Sequence, residues 1–345
     1  MSRRGLVRCA LAAVLFGVTT PAASQLAAEL GAFLLAGLLY LGAGLASTPS
    51  LRHGLPPKAS ITRSWRELAT AAVLGGAVGP VLLAAGLLHT PPATASLLLN
   101  LELVFTALLA ALVFREHLGR AVVFGTACVV AGGVLLGRSG DADLRWGALL
   151  IAAACLCWAV DNCVTAALDD FAPAHITLVK GFVAGTANLV IGLALGDGGR
   201  LAPDVVAGAL VIGAVGYGLS ITLWVAGARD LGAARAQLVF STAPFVGALV
   251  SWIFFDDPVL AVQLVALGLA AVGIAAVTRS DHGHDHEHPA VEHDHEHRHD
   301  DGHHDDGDHT ADRPDQRHQH PNAHRPTAHT HPHVPDVHHR HPHQD

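Results

Sequence analysis

The chain has 345 residues, of which 51% are hydrophobic and only 14% are charged, and its formal net charge is −8 with neutral histidine. Because charged residues make up about a quarter of an average soluble domain, this composition excludes an ordinary soluble protein and indicates an integral membrane protein. The sequence contains no nucleophile elbow or phosphate loop, and HExxH occurs only as the string HEHRH at 295–299, within the histidine-rich tail. We therefore predict that the chain is not an enzyme, and we expect no nucleic-acid partner.

Ten apolar segments follow one another along the first 279 residues and are separated by short polar stretches. Most are long enough to cross a bilayer, which takes about 20 residues of helix. They lie near residues 6–23, 31–46, 68–88, 93–114, 121–137, 147–167, 176–195, 205–226, 236–255 and 260–278. The sequence thus predicts an all-α integral membrane protein with ten transmembrane helices.

Short motifs recur about 140 residues apart, which indicates an internal repeat. The stretch "AAVLFGVTTPAA" has a counterpart in "AACLCWAVDNCV", and "GAVG" occurs at 76–79 and again at 213–216. Since each half holds five segments, the second half enters the membrane from the opposite face, as in many secondary transporters. We predict two inverted five-helix repeats, at 1–140 and 141–279. The repeat also predicts retention of the first segment, although its basic start resembles a signal peptide.

The basic residues of the ten segments and their connections orient the predicted bundle. If the N-terminus is cytoplasmic, thirteen of them, including Lys180, lie on the cytoplasmic side. Only Arg138, Arg145 and Arg200 lie on the other side. The positive-inside rule therefore predicts a multi-pass protein of the cytoplasmic membrane with both termini in the cytoplasm.

A carboxylate, Glu102, interrupts the fourth apolar segment near its middle. A charge at the bilayer centre costs about 2.5 to 3.5 kcal/mol on insertion scales, so it normally faces a bundle interior or a watery cavity. Asp161 lies in a similar setting in the sixth segment. We predict a substrate pathway in which either carboxylate takes up a proton or pairs with a cationic solute. Further predicted pathway residues are Asn162, Asn100, Thr20, Trp158, Tyr217 and Ser241. Structural hydrogen bonding between helices is the alternative, and it is favoured at Asn100 and Ser241.

Several stretches carry a resemblance to a known family. They include "VLFGVTTPAA", "VFSTAPFVGALVSW" and, most specifically, Glu102 with the "FREHLG" end of its helix. From about residue 6 to 279 the chain resembles the EamA-type transporters of the drug/metabolite transporter superfamily, in a subgroup with a histidine-rich C-terminal tail. The resemblance implies a ten-helix, two-repeat carrier and names no substrate. Such transporters often have a lysine after the first-helix "TP" motif, where this chain has Ser24.

The tail from Asp281 onward has a different composition, with 21 of the 25 histidines, fifteen Asp or Glu and five Arg. It cannot bury a core, so we predict a disordered cytoplasmic tail over 280–345. Imidazoles at every second residue beside carboxylates suit Zn²⁺, Ni²⁺, Co²⁺ or Cu²⁺. The predicted metal ligands are His282, His284, His286, His288, His293, His295, His297, His299, His303 and His304.

Together these features predict a secondary transporter that moves a small solute or metabolite, with proton coupling as one option and a metal-binding or metal-sensing tail. One alternative is a divalent-metal exporter for Zn, Ni or Co whose tail collects the cargo. Another is a metal-sensing membrane scaffold that transports nothing. The predicted partners are the lipid bilayer, a small-molecule substrate and divalent metal ions, and no cofactor is expected to be required. Substrate, direction, coupling ion and oligomeric state stay open.

Overall fold

The structure is a computed structural model that describes the helical part of the chain and four short tail segments. The described helical ranges are 3–54, 58–114, 120–166, 168, 171–197, 201–231 and 233–279. The described tail segments are 283–288, 292–297, 318–323 and 327–332. The chain forms two compact units, which are called the helical unit and the tail unit below.

Within the described ranges, the helical unit consists of α-helices joined by short turns, one 3₁₀-helix and two π-helical segments. The α-helices are α1 (Arg3–Ser47), α2 (Lys58–Arg63), α3 (Trp65–Thr70), α4 (Gly79–Leu87), α5 (Pro92–Leu98), α6 (Leu101–Phe114), α7 (Arg120–Arg138), α8 (Ala142–Ala166), α9 (Pro173–Leu195), α10 (Pro203–Ile212), α11 (Ser220–Leu231), α12 (Ala233–Phe240), α13 (Ala243–Phe254) and α14 (Ala261–Arg279). The 3₁₀-helix is Thr48–His53, and the π-helical segments are Ala71–Val78 and Gly213–Leu219.

Eight stretches of the described chain are helical, long enough and apolar enough to cross a membrane. They are Arg3–Arg52, Trp65–Leu87, Pro92–Leu109, Arg120–Arg138, Ala142–Thr165, Pro173–Leu195, Pro203–Leu231 and Ala236–Phe254. Many large side chains on their outer surfaces are apolar, as for Phe254, which is 73% exposed. Such an apolar exterior suits contact with lipid. The prediction of a multi-pass helical membrane protein is confirmed.

The structure has eight candidate membrane-spanning stretches, whereas the sequence predicts ten segments, and the difference has two sources. First, α1 covers two predicted segments, because it bends at Gly31, whose φ of 73° and ψ of 175° are not helical. Glycine adopts such a backbone at little cost. The bend is held by Asp197, which accepts a hydrogen bond from the Phe33 N–H at 2.7 Å. Second, over its described side chains α14 counts as a shorter apolar helix, Ala261–Ala276.

Glycines allow the second arm of α1 to lie directly against α9. A Cβ atom added at Gly181 would collide with the backbone of Gly44, and one added at Gly185 would meet the backbone of Leu41. Small residues at such crossings let helix backbones approach closely in membranes, where packing drives association. This contact sets the position of α9, and therefore of Lys180, relative to α1.

Two spans are interrupted by short turns. Between α5 and α6 the helix breaks at Leu99–Asn100, and between α12 and α13 it breaks at Ser241–Thr242. Leu99 and Ser241 are 142 residues apart in the sequence. Around both breaks the backbone N–H groups of Asn100 and Thr242 donate three residues back, to Leu97 and Val239, at 3.2 Å. Both breaks lie inside apolar spans, where irregular backbone must line a cavity or be covered by protein.

The tail unit contains two pairs of antiparallel strands among its described residues. Strand β1 (Gly283–His288) pairs with β4 (Thr327–Pro332), and β2 (Glu292–His297) pairs with β3 (His318–Ala323). The alternation of histidine with acidic residues in β1 and β2 has the two-residue period of a strand. The disorder predicted for the whole tail is therefore not confirmed at these four segments.

Candidate functional site

Two cavities lie inside the described part of the helical unit, and Glu102 lines both. The large cavity has a volume of ≈ 540 Å³, counting space open to solvent. Its polar lining groups are Glu102, Asp161, Asn162, Thr165 and Lys180. The small cavity has a volume of ≈ 260 Å³ on the same measure, with polar lining groups Asn100, Glu102, Gln237 and Ser241. Phe16 and Phe240 also line both cavities, so they form part of the wall between them.

Glu102 lies in the first turn of α6, directly after the break in its span. Its side chain is buried, and Oε1 accepts hydrogen bonds from Asn162 Nδ2 at 2.6 Å and from Gln237 Nε2 at 3.2 Å. Asn162 belongs to the large cavity and Gln237 to the small one. Neutral amide donors stabilise a carboxylate without cancelling its charge. Glu102 can therefore exchange a cation while its hydrogen bonds stay in place.

Asp161 is held differently, because it forms an ion pair with Lys180. Lys180 Nζ lies 2.5 Å from Asp161 Oδ2, and Thr165 Oγ1 donates to Asp161 Oδ1 at 3.1 Å. The lysine is only 3% exposed. A buried charge pair is tolerable when both partners are paired and hydrogen-bonded, as they are here.

Lys180 is a charged lining residue of the large cavity that the sequence analysis did not propose for the pathway. The sequence analysis counted it among the basic residues on the cytoplasmic side, and the structure places it as the eighth residue of α9, with its amine buried against Asp161. The side of the membrane on which Lys180 lies stays a prediction. The available signal was a lysine within an apolar helical run, which normally has an acidic partner in the bundle.

Aromatic side chains enclose much of the large cavity. They are Phe16, Tyr40, Trp158, Tyr217, Trp224 and Phe240. Several are in ring contact, with centroid distances of 5.6 Å between Phe16 and Tyr217 and 5.5 Å between Tyr40 and Tyr217. A mostly apolar, aromatic lining with a few convergent polar groups is the usual construction of a small-molecule site. The large cavity therefore has the type of lining expected of a small-molecule site.

The π-helical segment Ala71–Val78 contacts two aromatic side chains of the large cavity through one backbone carbonyl. Gly75 O accepts hydrogen bonds from Tyr40 Oη at 2.5 Å and Trp158 Nε1 at 3.1 Å. A Cβ atom at Gly75 would collide with the Asp161 carboxylate. Glycine at this position therefore allows the segment to approach both the aromatic side chains and the ion pair. π-Helical turns of this kind occur frequently at functional sites.

Most of the predicted pathway residues are brought together by the fold. Glu102, Asp161, Asn162, Trp158 and Tyr217 line the large cavity. Asn100 and Ser241 line the small cavity. Thr20 is absent from the lining of both cavities, and its Oγ1 donates to Phe16 O at 3.2 Å, which is a structural bond within α1. Besides Lys180, the sequence analysis missed Gln237, Tyr40 and Gly75.

The predicted tail ligands fall into two groups. His284, His286, His288, His293, His295 and His297 lie on β1 and β2, and His282, His299, His303 and His304 lie outside the described residues. The described residues contain no group of three or more His, Cys, Asp or Glu side chains that could hold a metal ion. Metal binding by the tail stays a prediction.

Comparison with known proteins gives matches of three kinds. The model of the EamA-like transporter family matches residues 3–138 and 145–279. An uncharacterized transporter from Methanothermobacter thermautotrophicus is 27% identical over 274 residues, which cover 74% of this chain and 80% of that protein. One solved crystal structure, described only as that of a protein, is 22% identical, with a TM-score of 0.57 over 80% of this chain and 98% of its own. At that identity the match shows a shared fold.

Proposed function

Since the chain belongs to the EamA-like transporter family, we propose that it is a secondary carrier that binds a small solute in the large cavity. Membership of this family makes it a membrane transporter of small solutes. The single observation that best supports the location of the solute site is the enclosure of Glu102 and the Asp161–Lys180 pair by aromatic side chains. A buried site with apolar walls and few charges is where intramembrane ionisable residues normally act in transport.

The proposed architecture is ten transmembrane helices in two inverted five-helix repeats, at 1–140 and 141–279. Three observations support it. The bend at Gly31 divides α1 into two arms, and α14 supplies a further apolar helix. The family model matches the chain twice, once in each half. The breaks at Leu99–Asn100 and Ser241–Thr242 occur at equivalent positions, as expected when a carrier duplicates one interrupted helix.

The proposed coupling residue is Glu102, and the proton is its first candidate ion. Lys180 already compensates Asp161, whereas the partners of Glu102 among the described residues are neutral amides. A carrier must move its site between two access states, and an uncompensated charge in low dielectric opposes that movement. Proton uptake by Glu102 removes the charge, so solute movement and proton movement become linked.

The tail and the orientation complete the proposal. We assign the chain to the cell membrane with both termini in the cytoplasm, and to a subgroup whose histidine-rich tail binds divalent metal. The tail then senses or buffers metal, and the proposal assigns no chemical reaction to the chain. A divalent-metal exporter is less favoured, because proteins usually bind a divalent ion through several anionic or imidazole ligands. The carboxylates that line the large cavity are Glu102 and Asp161, and Asp161 is already paired.

Flux in proteoliposomes tests the carrier. The purified protein is reconstituted, a pH gradient is imposed, and a panel of labelled amino acids, amines, aromatic solutes, Zn²⁺ and Ni²⁺ is screened. Saturable flux of an organic solute that responds to the gradient supports the proposal. Flux confined to the metal ions supports the exporter instead, and a complete absence of flux, with correct insertion shown by protease protection, supports the scaffold.

Truncation after Ser280 tests the tail. It removes 21 histidines, so divalent-metal binding is expected to fall to near zero while solute flux persists. In the full-length protein, metal binding is expected to weaken below about pH 6, because protonated imidazole cannot bind a metal. Retention of stoichiometric Zn²⁺ or Ni²⁺ binding by the truncated protein would contradict the assignment to the tail.

A further inference from the structure

The small cavity collects side-chain oxygen atoms that have no hydrogen-bond donor among the described residues. Asn100 Oδ1 and Gln237 Oε1 are both fully buried and both lack a partner. Asn100 is 3% exposed and Gln237 is 5% exposed. A buried acceptor left without a donor destabilises the folded protein. Two such acceptors beside one carboxylate are unusual in a structural hydrogen-bond network and suit a positively charged ligand.

The hydrogen bonds of both amides determine which of their atoms remain available. Asn100 Nδ2 donates to Leu97 O, and Gln237 Nε2 donates to Glu102 Oε1, each at 3.2 Å. The nitrogen atoms are therefore engaged, and the carbonyl oxygens are the free atoms. Ser241 Oγ donates its own hydrogen to Leu238 O at 2.6 Å, which leaves its lone pairs available. The two donors found for Glu102 both contact Oε1, so among the described residues Oε2 is also available.

The backbone at this cavity gives independent support. Leu99 and Asn100 from one helix break, and Ser241 from the other, all line it. The interruptions of α5–α6 and α12–α13 therefore meet at one cavity, although they belong to different halves of the chain. In transporters, interrupted helices near the bilayer midplane contribute unwound backbone and side-chain oxygens to the sites of coupling ions.

Charge and ligand type determine which cation fits. Glu102 is the only charged side chain that lines the small cavity in the described part of the chain, so one positive charge neutralises it. The polar ligands are all oxygen atoms, and oxygen ligands favour hard cations over the transition metals that prefer nitrogen or sulfur. With ≈ 260 Å³ against ≈ 540 Å³ for its neighbour, the small cavity suits an ion better than a solute.

We propose that the small cavity is a sodium site, in which Glu102, Asn100, Gln237 and Ser241 supply the oxygen ligands. The site rests on the proposed carrier function, which it extends by naming a second coupling ion. Asn162 links the two cavities, because it donates to Glu102 from the large cavity. Occupancy of the small cavity by Na⁺ therefore alters the charge that a solute meets in the large cavity.

The test measures binding of ²²Na⁺ to the full-length protein in detergent, with choline chloride holding the ionic strength constant. We expect saturable, near-stoichiometric binding that is not displaced by equal choline. Glu102→Gln is expected to weaken binding by about tenfold or more, since it removes the only charge among the ligands. Asn100→Leu removes a free carbonyl oxygen and is expected to lower the affinity for Na⁺. Asn188→Leu is the control, because it makes the same change at a buried amide that donates to Ala77 O. The control is expected to keep its affinity for Na⁺.

Several outcomes would overturn the sodium site. They are the absence of saturable binding, binding that survives Glu102→Gln, and equal loss in Asn100→Leu and Asn188→Leu. Gel filtration and circular dichroism show whether each variant is folded. If a leucine variant is not folded, the near-isosteric Glu102→Gln alone tests the sodium site. Because this measurement needs no flux, solute transport without Na⁺ binding removes the sodium site alone. Na⁺ binding without any solute transport instead removes the carrier proposal.

Discussion

The regions around Asp161 and around Glu102 both hold a buried carboxylate, but they compensate its charge in different ways. Asp161 contacts the Lys180 amine, whereas the donors found for Glu102 are the amides of Asn162 and Gln237. A full countercharge fixes a carboxylate in its ionised form, while neutral donors leave a charge that a mobile cation can neutralise. This difference supports the proposal that Glu102 binds and releases an ion, whereas Asp161 holds a lasting charge pair with Lys180.

Breaking the pair at Asp161 is expected to have the largest effect on stability. Lys180→Met keeps the length of the side chain but leaves a buried carboxylate without its cation, which costs about 3 to 5 kcal/mol. The side chains of Lys180 and Asp161 are only 4% and 9% exposed, so solvent offers little screening. Thermal unfolding of the purified variant should occur at a clearly lower temperature. The double variant Asp161→Asn, Lys180→Met should recover most of the loss, and equal instability of the two would show that charge is not the cause.

A smaller change tests how closely the π-helical segment fits the same pair. Gly75→Ala places a methyl group against the Asp161 carboxylate, and overpacking of this kind costs about 1 to 3 kcal/mol. We expect a lower unfolding temperature together with reduced flux. Gly268→Ala is the matched control, because a Cβ atom there has no described neighbour within 4 Å. If both substitutions behave alike, the segment does not depend on its approach to Asp161.

The region around Glu102 is expected to respond in function more than in stability. Glu102→Gln keeps the size and can still accept the hydrogen bonds from both amides, so the unfolding temperature should change little. Removal of the exchangeable charge should lower flux by about tenfold or more, which corresponds to about 1.4 kcal/mol. Proteoliposome flux and thermal unfolding on the same preparation measure both. Normal flux in Glu102→Leu would exclude the residue from the pathway.

The sequence predicted the two carboxylates because a charge within an apolar run has few physical explanations. Trp158 and Asn162 followed from their position within one turn of Asp161 on the same helix. These inferences use helical spacing alone, and the structure places all four residues on the large cavity. Their role in transport stays a prediction.

The ion pair and the small cavity could not be predicted in this way. Lys180 lies near the start of its apolar run, so the sequence cannot distinguish a buried amine from one at the membrane surface. The break at Leu99–Asn100 contains neither proline nor glycine, so no local signal predicts it. Gln237 contacts Glu102 across 135 residues of sequence. The ion pair and the Gln237–Glu102 contact depend on how separate helices pack, which a single sequence does not show.

The smallest expected effect comes from removing one neutral donor at Asp161. Thr165 Oγ1 donates to Asp161 Oδ1 at 3.1 Å, and Thr165→Val deletes that bond with little change of volume. Because Lys180 still compensates the carboxylate, the loss should be near that of an ordinary hydrogen bond, about 0.5 to 1.5 kcal/mol. Flux should stay within about threefold of the unmodified protein, since the net charge of the region does not change.

The matching change at Glu102 is Asn162→Leu, which deletes the 2.6 Å bond to Oε1 and leaves Gln237 as the donor found there. No countercharge compensates for the lost bond, so the ionised carboxylate is less stable and its affinity for a cation rises. Release of the ion then becomes harder, and flux should fall further than in Thr165→Val. Measuring both variants under one gradient compares the two carboxylates directly. An equal fall in both would mean that Asp161 also exchanges its charge during transport, because a permanently compensated carboxylate has no such dependence on a single neutral donor.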